Sequence, residues 1–267
     1  MKKLRRNAYV AKTEGLMGLK LRLLFRAYKY KILFANLVGM SVVKSRYGVR
    51  LAMNYGDATF KSYVLGSYGN FYWDRLTKIN SEFLFIDIGA NQGLYTICAS
   101  RNPNNFMSYA FEPVSDTFNL LRKNIELNQL TSKCTLVNKA ISDKCAITEI
   151  SVKSNHSGAA SLAQQNELYQ DANNKIRVET IDGIKLETLV EQKNLPIVVK
   201  IDVEGWELTV IKQLMDIPSV EKISEVFYEV DEKWVNPKEI EDALSSVGFK
   251  SFEKIGTGSH YDVLAKR

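Results

Sequence analysis

Acidic residues and glycines at the ends of short apolar runs are the first sign of chemistry in this 267-residue sequence. Phe83 to Ile88 is a nearly continuous apolar run that is interrupted by Asp87 and followed by Gly89 and Gly93. Glycine permits backbone angles and close approaches that a Cβ atom would forbid. A buried strand, a glycine turn and a helix in this order predict a site for a nucleotide-like ligand.

Glu112 adds a second polar group to this prediction. It ends the next apolar run, at a position where a carboxylate can accept hydrogen bonds from both ribose hydroxyls. The spacing Gly-x-Gly-x-x-Gly is absent, so no set of amides is evidently arranged for a pyrophosphate. The pattern therefore favours an adenosyl ligand without phosphates. A glycine turn that serves packing alone is the alternative.

The elements that must position these residues alternate between strand and helix signals from Phe83 onward, which predicts a mostly parallel sheet with helices on both faces. We expect the third strand over residues 135–141, the fourth over 196–203 and the fifth over 223–230, with a hairpin at the end of the chain. Residues 144–182 break the rhythm and predict an antiparallel insertion over the site, with a small-residue turn at 155–160.

Three segments resemble the FkbM-type S-adenosylmethionine-dependent methyltransferases. They are Ile86 to Thr96, then Phe111-Glu112-Pro113 with Asn124 and Asn128 on the next helix, then Lys200 to Glu207. The resemblance extends in order over residues 56–230. It implies a Rossmann-like class I methyltransferase fold: a mostly parallel seven-stranded sheet with the last strand antiparallel. It also implies S-adenosyl-L-methionine as cofactor and O-methylation, often of sugars or other hydroxyl groups.

The resemblance also assigns positions around the cofactor. It implies that Asp87, Gly89 and Gly93 cradle the methionine part, with help from Asn91, and that Glu112 holds the ribose. The turn after the third strand, which contains Ala140 and Asp143, should lie beside the adenine. A surface turn acid is the alternative for Asp143.

The fourth strand places Lys200, Asp202 and Glu204 at alternating positions on one side, near the edge where reacting groups of such sheets gather. A hydroxyl acceptor must lose its proton during methyl transfer, and a positioned carboxylate or histidine can receive it. Asp202 is our first choice and Glu204 the second, although Glu204 could instead cap the next helix. His156 is a further candidate for the base, although a histidine in a loop can simply be exposed to solvent. Glu229 is a further candidate on the substrate side, and its alternative role is that of a hydrogen-bonded acid at the end of a strand.

A divalent cation could in principle gather the acids at 202, 204 and 229, because hard cations take oxygen ligands. Their spacing is no known metal signature, and alignment of the hydroxyl with the methyl can supply much of the acceleration. We therefore expect no metal.

The net charge of +6 is unevenly distributed. Residues 1–50 hold 13 of the 36 Lys and Arg residues and a single acid, so this segment carries +12, and residues 51–267, with 23 basic and 29 acidic residues, carry −6. A helix from Leu16 to Val38 would place Arg22, Arg26 and Lys29 on one face. Either this face contacts an anionic membrane, or it is the solvated side of a helix packed over the core.

No uncharged run in this segment approaches the roughly 20 residues that span a bilayer. Three cysteines without metal-ligand spacing indicate reduced thiols and a cytoplasmic protein, with peripheral contact at the inner face of the membrane as the option that the basic segment leaves open. We expect three parts: a basic helical extension (1–50), an aromatic-rich lead-in (51–82) that either walls the pocket or fills a gap, and the methyltransferase domain (83–267).

The sequence thus predicts an S-adenosylmethionine-dependent O-methyltransferase acting on a saccharide, glycan or lipid-linked glycan. A nucleic-acid methyltransferase is the alternative enzyme, because a pI near 9.0 suits phosphate binding. The excess of basic charge is confined to one segment, however, which argues against nucleic acid as a partner. A non-catalytic adenosyl-binding partner protein is the third possibility. The sequence carries no signal for the oligomeric state.

Overall fold

The computed structural model describes residues 15–153, 156–161, 175–190 and 193–267, with side chains described for 26–152, 157–158, 175–190 and 193–267. The N-terminal part consists of a long helix, a short hairpin and two short helices. Its elements are α1 (Gly15–Leu37), β1 (Val42–Lys44), β2 (Arg50–Ala52), α2 (Ala58–Leu65) and α3 (Asn70–Thr77).

The central region alternates strands and helices as the sequence predicts, and a second group of strands interrupts it. The elements up to that interruption are β3 (Phe83–Ile88), α4 (Leu94–Arg101), β4 (Asn105–Phe111), α5 (Ser115–Leu127) and β5 (Cys134–Val137). The interrupting strands are β6 (Ala140–Ile141), β7 (Ala146–Lys153), β8 (His156–Ser161) and β9 (Lys175–Ile181). The chain then returns to the core through α6 (Gly183–Leu189), β10 (Ile197–Ile201), α7 (Glu207–Met215), β11 (Ile223–Asp231), α8 (Pro237–Ser246), β12 (Ser251–Ile255) and β13 (His260–Lys266).

A seven-stranded sheet with the order β12-β13-β11-β10-β3-β4-β5 forms the core. The neighbours from β11 to β5 pair in parallel, and β13 is antiparallel to both β11 and β12. Every residue of β3 and β10 is buried, which explains why these central strands read as apolar runs. The expected α/β fold with an antiparallel last strand is therefore confirmed.

The four-stranded sheet β6-β9-β7-β8 corrects two expectations. The predicted third strand over 135–141 was wrong as a single unit: β5 ends at Val137, and Ala140 and Ile141 pair with β9 instead. The Asn138 side-chain amide donates to the carbonyls of Glu112 and Pro113, which fixes the chain as it leaves the central sheet. The predicted turn at 155–160 contains strand β8, where the Gly158 amide lies 3.3 Å from Thr59 Oγ1 in α2.

Most aromatic residues before β3 fill space between the N-terminal helices and the sheet. Tyr72 stacks on Phe227 at 4.0 Å between ring centroids and meets Tyr95 edge-on at 5.4 Å. Tyr68 also packs in this group, but its hydroxyl reaches the edge of the sheet. Within the part of the chain that the structure describes, no helix has the length and apolar character needed to cross a membrane.

Candidate functional site

A cleft of about 600 Å³, counted out to its open mouth, lies at the carboxyl ends of β3, β4 and β10. The floor comes from Ile88, Gly89, Phe111 and Val203, and polar groups enter from Glu112 and from the loop after β10. The cleft lies at the centre of the sheet, where the order of the strands reverses and such folds bind ligands.

The glycine turn after β3 is shaped by its neighbours as well as by the cleft. Gly89 has φ +74°, and a Cβ atom there would lie 2.0 Å from the carbonyl oxygen of Asp202. Gly93 has φ +88°, and its Cβ would lie 2.5 Å from Leu121 Cδ1. Packing therefore requires both glycines, and of the two Gly89 lines the cleft.

Glu112 is held in place by the turn that faces it. Its Oε2 accepts from the Asn91 amide at 2.9 Å, and its Oε1 accepts from the Val114 amide at 2.9 Å. The residue is only 5% exposed, and burial raises the pKa of its carboxyl group to about 7 against the pull of these hydrogen bonds. Each oxygen keeps further acceptor capacity toward the cleft, which suits a ligand with two adjacent hydroxyls.

A buried charge chain connects the glycine turn to the loop after β10. Asp87 accepts from Thr96 Oγ1 at 2.6 Å and lies 3.3 Å from Lys200 Nζ. Lys200 donates to the Gly89 carbonyl at 2.7 Å and lies 3.5 Å from Asp202 Oδ2. Burial lowers the pKa of Lys200, but Asp202 and Asp87 outweigh burial, so its pKa is raised overall. Asp87 is fully buried behind the cleft wall, so it orients Lys200 and the turn.

Asp202, Glu204 and Glu229 form a group that we call the acceptor carboxylates. One oxygen from each lies within 4.8 Å of the others, although β10 and β11 are separated by α7 in sequence. Asp202 also accepts from the Tyr68 hydroxyl at 3.0 Å. Burial, followed by the charges of Asp202 and Glu229, raises the pKa of Glu204 to about 9, so this group is protonated at neutral pH.

Strand β13 brings two residues to the acceptor carboxylates that sequence reasoning missed. His260 Nε2 lies 2.6 Å from Glu229 Oε1, and this hydrogen bond raises the pKa of His260 to about 9. Asp262 is the cross-strand partner of Glu229, and burial followed by the Glu229 charge raises its pKa to about 7. The sequence indicates a strand at β13, but it does not indicate that this strand pairs with β11.

Three carboxylate oxygens at these distances could hold a hard divalent cation. The sequence argument against a metal rested on spacing, and the fold brings the three residues together in spite of that spacing. Acidic clusters of this kind also occur without an ion.

The second sheet covers the opposite side of the cleft. Ser157 lines the cleft and is anchored because its amide donates to Asp57 Oδ2 at 2.6 Å and its hydroxyl lies 3.0 Å from Asn91 Oδ1. Asp57 is also the N-cap of α2, accepting from the Phe60 amide at 2.7 Å. Sequence reasoning missed this anchor because Asp57 and Ser157 are 100 residues apart.

The remaining predicted residues divide between the cleft and the surface. Ala140 lines the cleft beside Ile141 and Ile150, which form an apolar wall. Asp143 is exposed, accepts from Ser142 Oγ at 3.1 Å and does not line the cleft. His156 begins β8, and its side chain lies outside the described residues.

Comparisons with known proteins agree with this geometry. Residues 87–251 match the family model of the methyltransferase FkbM domain. The methyltransferase sdnD of Sordaria araneosa is 27% identical over 198 residues, which are 65% of this chain and 76% of that protein. The hexuronic acid methyltransferase AglP of Haloferax volcanii is 30% identical over 178 residues, and the match spans 64% of each protein.

A solved structure, methyltransferase FkbM from Methylobacillus flagellatus, resembles this chain with a TM-score of 0.50 at 12% identity. The match covers 81% of this chain and 56% of that one. At this identity the likeness concerns the fold.

Proposed function

Because the chain belongs to the FkbM methyltransferase family, we propose that this methyltransferase transfers a methyl group from S-adenosylmethionine to a hydroxyl oxygen of a saccharide-type acceptor. The observation that carries the proposal is the cleft itself. Glu112 follows β4 and Asp202 follows β10, the two strands that flank β3, and both residues line the cleft.

The residues around the cleft fit an adenosyl ligand. We assign the Glu112 carboxylate to the two ribose hydroxyls and the apolar wall of Ile141 and Ile150 to the adenine. Gly89 and Asn91 also line the cleft, and we assign them to the amino-acid part. When bound, the cofactor supplies an electrophilic methyl group, and the protein supplies binding, orientation and charge.

Asp202 is the group we assign to receive the acceptor proton. It lines the cleft, and its Oδ2 is oriented by the Tyr68 hydroxyl and by Lys200 at 3.5 Å. Glu204 is a weaker candidate because its pKa of about 9 keeps it protonated at neutral pH. A protonated Glu204 can instead donate a hydrogen bond to an oxygen of the acceptor.

The acceptor is inferred from the charges at its end of the cleft. These groups are mixed: Asp202 and Glu229 are accompanied by the cations Lys200 and His260, and Glu204 is uncharged near pH 7. Such a set of hydrogen-bond donors and acceptors suits the hydroxyls of a saccharide. The name of the archaeal relative, a hexuronic acid methyltransferase, points to the same substrate class. We therefore propose a saccharide, glycan or lipid-linked glycan as the acceptor.

Two measurements test the proposal. Calorimetry should detect binding of S-adenosylmethionine and its demethylated product to the wild type and much weaker binding to Glu112→Gln, while exposed Glu253→Gln in β12 serves as a matched control. Methyl label from the cofactor should then appear in a saccharide fraction of cell-envelope extracts. Absence of cofactor binding would refute the proposed activity, and label in nucleic acid would refute the proposed acceptor.

A further inference from the structure

Helix α1 has one apolar face that packs on the protein. Ile32 is 3% exposed and Ala35 is 1% exposed, and Ile32 packs in one cluster with Val43, Phe60 and Val64. Tyr28 packs against the same cluster. This face attaches the described end of α1 to the β1–β2 hairpin and to α2.

The opposite face of α1 is also apolar but is exposed to solvent. Tyr30, Leu33, Phe34 and Leu37 are 69%, 49%, 62% and 80% exposed. Their spacing of i, i+3, i+4 and i+7 places them in one line along the helix, and we call them the exposed stripe. A contiguous apolar surface of this kind marks an interaction site more often than ordinary surface.

Basic residues surround the exposed stripe. Successive residues of a helix are separated by about 100°, so Lys29 and Lys31 lie on either side of Tyr30. Both lysines are exposed, as is Arg26 one turn before the stripe. The chain contains no Asp or Glu between Glu14 and Asp57. The stripe is therefore an apolar line within a purely cationic segment.

We propose that α1 lies flat on an anionic lipid surface, with the exposed stripe in the acyl boundary and the basic residues among the headgroups. Apolar residues flanked by Lys and Arg are the composition of interfacial helices. Each basic residue near such a surface contributes about 1 kcal/mol. A second copy of the chain would bring like charges together, and nucleic acid would leave Leu33 and Leu37 without apolar contacts.

This surface is connected to the cleft through α2. Helix α1 packs on α2, and the N-cap of α2, Asp57, holds Ser157 at the cleft. The docking itself does not depend on the identity of the acceptor.

Vesicle flotation with the full chain tests the proposal. The protein should float with vesicles of equimolar phosphatidylcholine and phosphatidylglycerol, and more weakly with phosphatidylcholine alone or at high salt. Phe34→Ser with Leu37→Ser should weaken binding by about 100-fold, because two apolar side chains lose their burial. Ile147→Ser with Ile184→Ser is the matched control, since these residues are 72% and 57% exposed elsewhere, and it should bind like the wild type.

Other outcomes would overturn the proposal. Flotation of the Phe34 and Leu37 variant at wild-type strength would show that the stripe is not the lipid contact. Wild-type protein that fails to float would also overturn it. Dimerisation in sedimentation experiments, or RNA binding, that is lost in the Phe34 and Leu37 variant would then assign the surface to that occupant. Unchanged circular dichroism would show that the substitutions leave the fold intact.

Discussion

Replacing Asp202 by Asn is the sharpest test of how the cleft performs methyl transfer. Asn has nearly the same shape and can still accept the hydrogen bond that the Tyr68 hydroxyl gives at 3.0 Å. It cannot take up a proton at ordinary pH, and it removes the negative charge that lies 3.5 Å from Lys200. The substitution therefore changes basicity and charge while leaving the packing in place.

The expected loss follows from the role assigned to this carboxylate. A positioned general base contributes about 10²- to 10⁴-fold to the rate, so kcat of Asp202→Asn should fall by that factor. Cofactor affinity should stay within about threefold, because the proposed ribose and adenine contacts are made by Glu112 and the apolar wall and not by Asp202. A fall in kcat without a fall in cofactor affinity is the result expected of a proton acceptor.

Glu204→Gln is the matched comparison. The pKa of Glu204 is about 9, against an ordinary value of 4.5, so near pH 7 this side chain is an uncharged acid that Gln closely resembles. We expect its kcat to stay within about threefold of the wild type at pH 7. The wild type and Glu204→Gln should diverge only as the pH approaches 9, where Glu204 begins to ionise.

Initial rates with labelled cofactor, together with calorimetric cofactor affinities, decide between the two acids. Wild-type rates in Asp202→Asn would refute its assignment as the proton acceptor. A large loss of cofactor affinity in the same variant would instead make Asp202 a positioning residue. Equal losses in both variants would contradict the inferred protonation of Glu204.

Three further predictions concern the rest of the site. The pKa of Glu112 is about 7, and its carboxylate is the form that accepts hydrogen bonds from ribose hydroxyls. Cofactor affinity measured by calorimetry should therefore fall by about tenfold from pH 8 to pH 6. The affinity of Glu112→Gln should not change over this range, and a wild-type affinity that does not change either would exclude this role of Glu112. Gly89→Ala should destabilise the protein in urea unfolding by about 3 kcal/mol or more, because its Cβ would meet the Asp202 carbonyl. Gly258→Ala, with φ +89° and open space around its Cβ, should cost only about 1 kcal/mol; equal costs would exclude the steric argument. Treatment with EDTA and then Mg²⁺ should leave the rate within about twofold, since alignment and a carboxylate base suffice; a loss that Mg²⁺ restores would instead place a cation among the acceptor carboxylates.

The sequence was most informative where local pattern and burial coincide. Strands β3 and β10 are buried along their whole length, so their apolar runs were visible without knowledge of their neighbours. The residue types of these two strands are therefore sufficient to indicate buried strands.

Predictions failed where a distant partner decides the local structure. The stretch at 155–160 reads as a turn because its residues are small, yet Gly158 and Ser157 fit against α2 through Thr59 and Asp57. Ala140 and Ile141 are apolar enough for the central sheet, but they pair with β9. Local propensity cannot reveal such pairings, because strand preference depends on what packs against each face.

The sequence by itself determined the α/β fold, the glycine turn, Glu112 at the second strand end and the carboxylates after β10. It did so because these features are set by short-range pattern and by the types of residue at strand ends. Only the tertiary structure decided that Asp202, Glu204 and Glu229 meet, that β13 adds His260 and Asp262, and that Ser157 joins the cleft. Those groups come from separate elements, and only the packing of the chain fixes the distances between them and therefore their pKa values.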